Sequence, residues 1–232
     1  MRKIKTAAVY SLDGGVGKTT LATVMSIAKG FTLVIDADWE KAELSQLFRV
    51  PRRPGWVAPF LRGQPYLHQV NPTLYVLPGY DAVELYQKDQ SVVRELELAL
   101  LEWIEYLPEF VDRQKLPVDT VVIDTTPALR VELLQAMQKL GLYTVFVGDG
   151  RMLSKVSDVK AEQYNKYTGF ASAVVINQID RTEVLQARRI TPYVLRHVGH
   201  IRQYHADSVA AAILRDRENR RSVEELLTKI KS

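Results

Sequence analysis

Residues 11–20, Ser11-Leu12-Asp13-Gly14-Gly15-Val16-Gly17-Lys18-Thr19-Thr20, gather three glycines, a lysine and three hydroxyls between an apolar run and an amphipathic one. Glycine accepts positive φ at little cost, so such a loop can turn successive N–H groups toward one point at the start of a helix and make an anion nest. In that setting Lys18 places a positive charge on the terminal phosphates of a polyphosphate, and the Thr19 hydroxyl is a ligand for Mg2+. Three carboxylates belong to the same chemistry. Asp36 and Asp124 each close an apolar, β-branched run, and Asp38 follows two residues after the first of them. Asp124 is placed to hold a water of the metal shell opposite Thr19, Asp36 to support that shell, and Asp38 to orient or deprotonate an attacking water.

The elements that must position these groups are legible as an alternation of short β-branched runs with longer helical patterns, which marks βα units around a mostly parallel sheet. Strands are expected at residues 6–10, 32–36, 74–77, 120–124, 143–148, 171–177 and 197–201. Most end in Asp, Gly or Asn, and open parallel sheets bind ligands at the carboxyl ends of their strands. Helical periodicity is clearest over residues 91–107, where Val92, Leu96, Ala99, Leu100, Trp103 and Leu107 recur on one face and are read as core. Residues 51–65 hold four prolines and two glycines and read as a loop with a short helical turn. The expectation is a single α/β domain over residues 1–232, a twisted and mostly parallel sheet with helices on both faces.

Four further segments extend the pattern of the glycine loop. Leu12 stands where the general G-x-x-x-x-G-K-[ST] loop has its first glycine, while the doubled Gly14-Gly15 is kept. This resembles the deviant Walker A motif K-G-G-x-G-K-[ST] of the ParA/MinD family of P-loop ATPases. Asp36-Ala37-Asp38 is similar to that family's D-x-D segment, Val121-Val122-Ile123-Asp124-Thr125-Thr126-Pro127 to its Walker B strand ending in D-T-x-P, and Val174-Val175-Ile176-Asn177 to the strand carrying a base-reading Asn. Leu74-Tyr75-Val76-Leu77-Pro78-Gly79 is similar to its apolar strand ending in Pro, and the order is kept over roughly the whole chain. The resemblance implies a P-loop fold, ATP and Mg2+ as cofactors, phosphate contacts from Asp13, Gly14, Gly15, Val16, Gly17, Lys18, Thr19 and Thr20, and metal contacts from Thr19, Asp36 and Asp124. Asp38 and Lys18 would carry catalysis, and Asn177, Ile201 and Arg202 would close the base pocket. Asn177-Gln178-Ile179-Asp180 also resembles the guanine motif N-K-x-D, but the family resemblance favours ATP.

One position departs from the family. The residue before the two glycines is its signature lysine, which reaches the partner subunit's phosphates in a nucleotide-sandwich dimer; here it is Asp13. A carboxylate beside a triphosphate repels where the family neutralises. The sequence leaves three outcomes open: Lys41 or Arg151 substitutes, Asp13 turns away or pairs with an arginine, or the chain is a slow nucleotide switch.

The net charge of +4 is unevenly spread: residues 188–221 hold eight arginines, no lysine and three acids, a local charge of +5. Arg188, Arg189, Arg196, Arg202, Arg215, Arg217, Arg220 and Arg221 read as a region for nonspecific DNA phosphates. Arg49, Arg52, Arg53 and Arg62 form a second group. The resemblance implies an ATP-dependent homodimer acting in plasmid or chromosome partitioning with a ParB-like adaptor. The runner-up is a noncatalytic nucleotide-binding interaction protein, and a MinD-like membrane role ranks below both. Residues 222–231 put Val223, Leu226, Leu227 and Ile230 on one face but lack Phe and Trp and carry Glu224-Glu225, so they read as a packed terminal helix. With no cysteine there is no disulfide framework or thiol nucleophile, and a metal-centre maturation role is weak with only His68, His197, His200 and His205. No apolar run is long enough to span a membrane, and a cytoplasmic location is expected.

Overall fold

Apolar residues fill both faces of the central strands, and such strands must be covered on both sides. The structure, a computed structural model, describes residues 4–154, 158–199 and 204–231. In β1 (Lys5–Tyr10), Ala8 and Tyr10 enter one core while Ala7 and Val9 enter the other. β2 (Thr32–Ala37), β3 (His68–Asn71), β4 (Leu74–Leu77), β5 (Thr120–Thr125), β6 (Tyr143–Gly148), β7 (Ala173–Ile179) and β8 (Tyr193–Arg196) complete the sheet among the described residues. The strand order is β3-β4-β2-β5-β1-β6-β7-β8, with every neighbouring pair parallel except β3 and β4. β1 therefore lies between β5 and β6, and the loop that follows it opens at the carboxyl edge beside the ends of β2 and β5, where ligands of such sheets bind.

The helices are α1 (Lys18–Lys29), α2 (Glu43–Leu47), α3 (Tyr80–Lys88), α4 (Val93–Arg113), α5 (Val131–Lys139), α6 (Asp158–Thr168), α7 (Val184–Ala187), α8 (Ala206–Arg215) and α9 (Arg217–Lys231). The apolar residues of α1, α2, α8 and α9 bury one face of the sheet, and those of α3, α4, α5 and α6 bury the other. The stripe expected over residues 91–107 lies in this second layer, with Leu96, Leu100, Trp103 and Leu107 buried. The helix runs further than its pattern suggested: it continues past Pro108 to Arg113 because Phe110 and Val111 stay in the core. In α9, Val223, Leu226, Leu227 and Ile230 are buried against the first layer, so the apolar face of this helix is occupied by the protein itself.

Two strand expectations are corrected. β7 begins at Ala173 and ends at Ile179, two residues later than read from sequence, because Ser172 pairs with Thr144 in the turn before it. The last strand is residues 193–196 and not 197–201: Tyr193, Val194 and Leu195 supply the apolar run, and beyond Arg196 the His197 N–H still donates to the Ile179 carbonyl at 3.0 Å although the strand has ended. Residues 200–201 of that expectation lie outside the described residues. β3 has no counterpart in the sequence reading; it is a short, half-exposed and antiparallel edge.

Candidate phosphate-binding site

The loop between β1 and α1 takes the geometry its glycines allow. Gly15 and Gly17 have φ of 74° and 84°, and α1 begins immediately after Gly17 with no side-chain cap on its first turn. The free N–H groups of that turn and the positive end of the helix dipole therefore face the cleft. Gly14, Gly15, Gly17, Lys18, Thr19 and Thr20 line this cleft, and its opposite wall carries Asp38, Glu40, Lys41 and Glu43.

Beneath the loop, the Lys18 ammonium stands 3.6 Å from Asp124 at the end of β5, with both side chains buried. Neither oxygen of Asp124 meets a donor in hydrogen-bonding geometry. Burial pushes its pKa up to about 6, opposed by the charge of Lys18 and the nearby Thr19 hydroxyl. A fully buried carboxylate with an ion pair but no hydrogen bond, beside a threonine hydroxyl, has the chemistry to hold a hydrated hard cation, so the residues present fit Mg2+. Among the described residues no cluster of three His, Cys, Asp or Glu side chains could hold a metal ion.

Asp36 does something different from the metal support expected of it. It pairs in register with Asp124 across β2 and β5, but its Oδ2 accepts both the Ser45 N–H at 2.7 Å and the Ser45 hydroxyl at 2.6 Å. Ser45 Oγ in turn accepts the Gly79 N–H at 3.1 Å, so Asp36 ties α2 and the loop after β4 to β2. Complete burial, and then the neighbouring charge of Asp124, raise the Asp36 pKa to about 8 against the opposing bonds from Ser45. Asp38 does reach the cleft, with one carboxylate oxygen accepting the Glu40 N–H at 3.0 Å. Trp39 is buried in the core behind it and anchors the segment.

Asn177 lies within β7, at an irregularity where the pairing with β8 shifts register and Gln178 takes a φ of 58°. The bulge turns two amides onto the back of the loop: Asn177 Nδ2 donates to the Val16 carbonyl at 2.9 Å and Gln178 Nε2 to the Gly15 carbonyl at 3.1 Å. Asn177 is thus a support of the phosphate loop, a role the sequence did not suggest. Ile201 and Arg202 lie outside the described residues.

Asp13 pairs with a lysine and not with an arginine. The Lys160 ammonium lies 2.6 Å from its Oδ1, and the Tyr164 hydroxyl donates to its Oδ2 at 2.5 Å. Burial pushes the Asp13 carboxyl up, but the bonds from Lys160 and Tyr164, with the charges of Lys160 and Arg151, outweigh it and hold the pKa below the usual value. Of the substitutes considered, Arg151 is held by both oxygens of Asp149 and donates to the Gly14 carbonyl at 3.3 Å, while Lys41 stands 3.7 Å from Glu43. Sequence reasoning missed Lys160 and Tyr164, whose only signal is their spacing of one helical turn on α6.

The eight arginines are less free than their count suggests. Arg188 binds Glu218, Arg196 binds Asp216 and Arg221 binds Glu225. Arg189, Arg215, Arg217 and Arg220 are exposed, the last with its Nε on the Leu214 carbonyl. Among the described residues no helix is long and apolar enough to cross a membrane.

No family model matches the chain, and no curated protein does either. Solved structures do. A plasmid partition protein from Borrelia burgdorferi superposes with a TM-score of 0.62 at 14% identity, over 98% of this chain and 100% of that one. MinD from Pyrococcus horikoshii, complexed with Mg-ADP, gives 0.58 at 20% identity over 100% and 97%. Cobyrinic acid a,c-diamide synthase from Mycobacterium smegmatis, with a bound ATP analog and magnesium, gives 0.59 at 15% identity over 99% and 96%. With a glycine loop entering α1 at the carboxyl edge of a parallel sheet, and full-length superposition on these structures, the chain takes the fold of the ParA/MinD P-loop proteins.

Proposed function

We propose that this chain is a ParA-like ATP-binding switch with slow ATP hydrolysis, dimerising on nucleotide and acting in the partitioning of DNA in the cytoplasm. The observation that carries the reading is the buried Lys18 and Asp124 ion pair under an uncapped helix N-terminus, with neither Asp124 oxygen hydrogen-bonded. The loop N–H groups and Lys18 bind and orient the phosphates. Thr19 and Asp124 would hold Mg2+, the latter through water, and the ion would supply charge neutralisation on the phosphates. Asp38, on the facing wall, positions the attacking water. The fold by itself does not fix the activity, since a synthase shares it.

A specific feature favours slow turnover, or none in the runner-up reading of a nucleotide-binding interaction protein: the position that in ParA-like relatives carries a cation holds Asp13, already committed to Lys160 and Tyr164. DNA binding would rest on Arg189, Arg215, Arg217 and Arg220, because Arg188, Arg196 and Arg221 are engaged with acids. Phosphate release from Mg-ATP, measured for the full chain and for Lys18→Ala, tests the enzyme. Release above the Lys18→Ala background supports slow hydrolysis, whereas nucleotide binding without release leaves the noncatalytic reading. Affinity for random-sequence duplex that does not fall with salt would remove the DNA role.

A further inference from the structure

Asp13 lines the cleft, yet a carboxylate facing a triphosphate adds like charge to a site built for anions. The structure answers this locally. Each Asp13 oxygen has its own donor from α6, one from Lys160 and one from Tyr164. Tyr164 is buried and packs edge-on against Phe146 of β6 at 6.5 Å, so its hydroxyl is a fixed point and not a surface group that swings. The Lys160 ammonium also sits 5.2 Å over the Tyr164 ring, which holds the cation over the same residue that orients the carboxylate. The backbone on the other side of Asp13 is fixed as well, by the Ser11 hydroxyl on the Asp13 carbonyl at 2.8 Å and by Arg151 on the Gly14 carbonyl.

We propose that Lys160 is a positioning residue of the nucleotide site: from α6 of the same chain it neutralises Asp13 and fixes the entry of the phosphate loop, so that polyphosphate binding depends on it. This rests on the nucleotide-binding reading of the loop. Its consequence is specific. Lys160 acts through Asp13, so removing the cation alone exposes a carboxylate to the phosphates, whereas removing both partners leaves a neutral loop.

The test is a set of dissociation constants for a fluorescent ATP analogue with Mg2+, measured by anisotropy on the full chain, with thermal unfolding of each variant alongside. Lys160→Gln is expected to weaken binding about tenfold or more, as an unpaired carboxylate lining an anion-binding cleft should, and the loss should shrink as salt is raised. Lys160→Arg should bind like the wild type, and Asp13→Asn no more weakly than the wild type. The double variant Asp13→Asn with Lys160→Gln should recover to within about threefold of the wild type, a coupling that a simple helix staple does not give. Unchanged affinity in Lys160→Gln, or a double variant as weak as the single one, overturns the proposal. If Lys160→Gln does not fold, the comparison of Asp13→Asn with the double variant decides: equal affinities sustain the proposal, and a further loss in the double overturns it. Failure of the wild type to bind the analogue, or binding that survives Lys18→Ala, is a different result, because it removes the nucleotide reading and this inference together.

Discussion

A side chain added at Gly17 would meet two obstacles at once: the backbone has φ of 84°, and a Cβ there would stand 2.2 Å from Asn177 Nδ2. Gly17→Ala is therefore expected to cost about 1–2 kcal/mol for the left-handed backbone alone, more once Asn177 is displaced, and to lower nucleotide affinity. Denaturant midpoints and a binding titration check both. The paired carboxylates give a pH prediction. Asp36 is raised to about 8 and Asp124 to about 6 in the folded state. A carboxyl with a raised folded pKa contributes stability that is fully present below its unfolded pKa and lost as pH rises through the folded value. The free protein should accordingly lose thermal stability between about pH 4 and pH 8, and Asp36→Asn should flatten the upper part of that slope. A melting temperature that rises over this range would contradict the burial argument. At this scale the glycines, Lys18, Thr19 and Asp124 were legible as a contiguous or strand-terminal pattern. The partners of Asp13 were not, because Lys160 and Tyr164 lie 147 and 151 positions away and their spacing is that of any helix face.

Strand identity was legible wherever both faces of a strand are buried, as in β1, β2, β4, β5 and β6, since a continuous apolar run has few other uses. It failed at the edges. β3 is polar at three of its four positions and half-exposed, and β8 is partly exposed at both of its ends, so neither rises above the pattern of a loop. β8 is secured by polar contacts that no periodicity signals: the buried Asn219 of α9 accepts the Arg196 N–H at 2.7 Å and donates to the Arg196 carbonyl at 3.2 Å, and Ser222 donates to the Val194 carbonyl at 2.9 Å. Asn219→Leu leaves both Arg196 backbone groups without this partner and is expected to cost about 2–3 kcal/mol, readable as a lowered denaturant midpoint with an unchanged slope. A loss within error would mean that the strand edge is held by packing alone.

Across the whole molecule, the sheet order brings the ends of β1, β2 and β5 together, and the charge balance of the cleft is completed by α6 from the far side of the sheet. A site whose charges are balanced within one chain does not need a partner's lysine to bind its ligand. The dilute single chain should therefore still bind ATP, and because the proposed dimer forms on nucleotide, apparent affinity should tighten as the chain is concentrated. Affinity that stays constant over a wide range of protein concentration would show that nucleotide binding and dimerisation are not linked. The overall fold was legible from the order of motifs, while the function is carried by the site, because the same fold serves partition proteins and a synthase.

The packing of α1 against α8 and α9 has a consequence for how the protein is made. The helix that presents Lys18 and Thr19 leaves the ribosome well before the residues that cover part of its apolar side, 206–231, which are separated from it by some 180 positions. Until they emerge, α1 can pack on β1, β2 and β5 but the part of it that meets α8 and α9 is exposed to wrong partners and to chaperones. The loop between β1 and α1 thus rests on a helix whose seating is completed late, after nearly all of the described sequence has emerged.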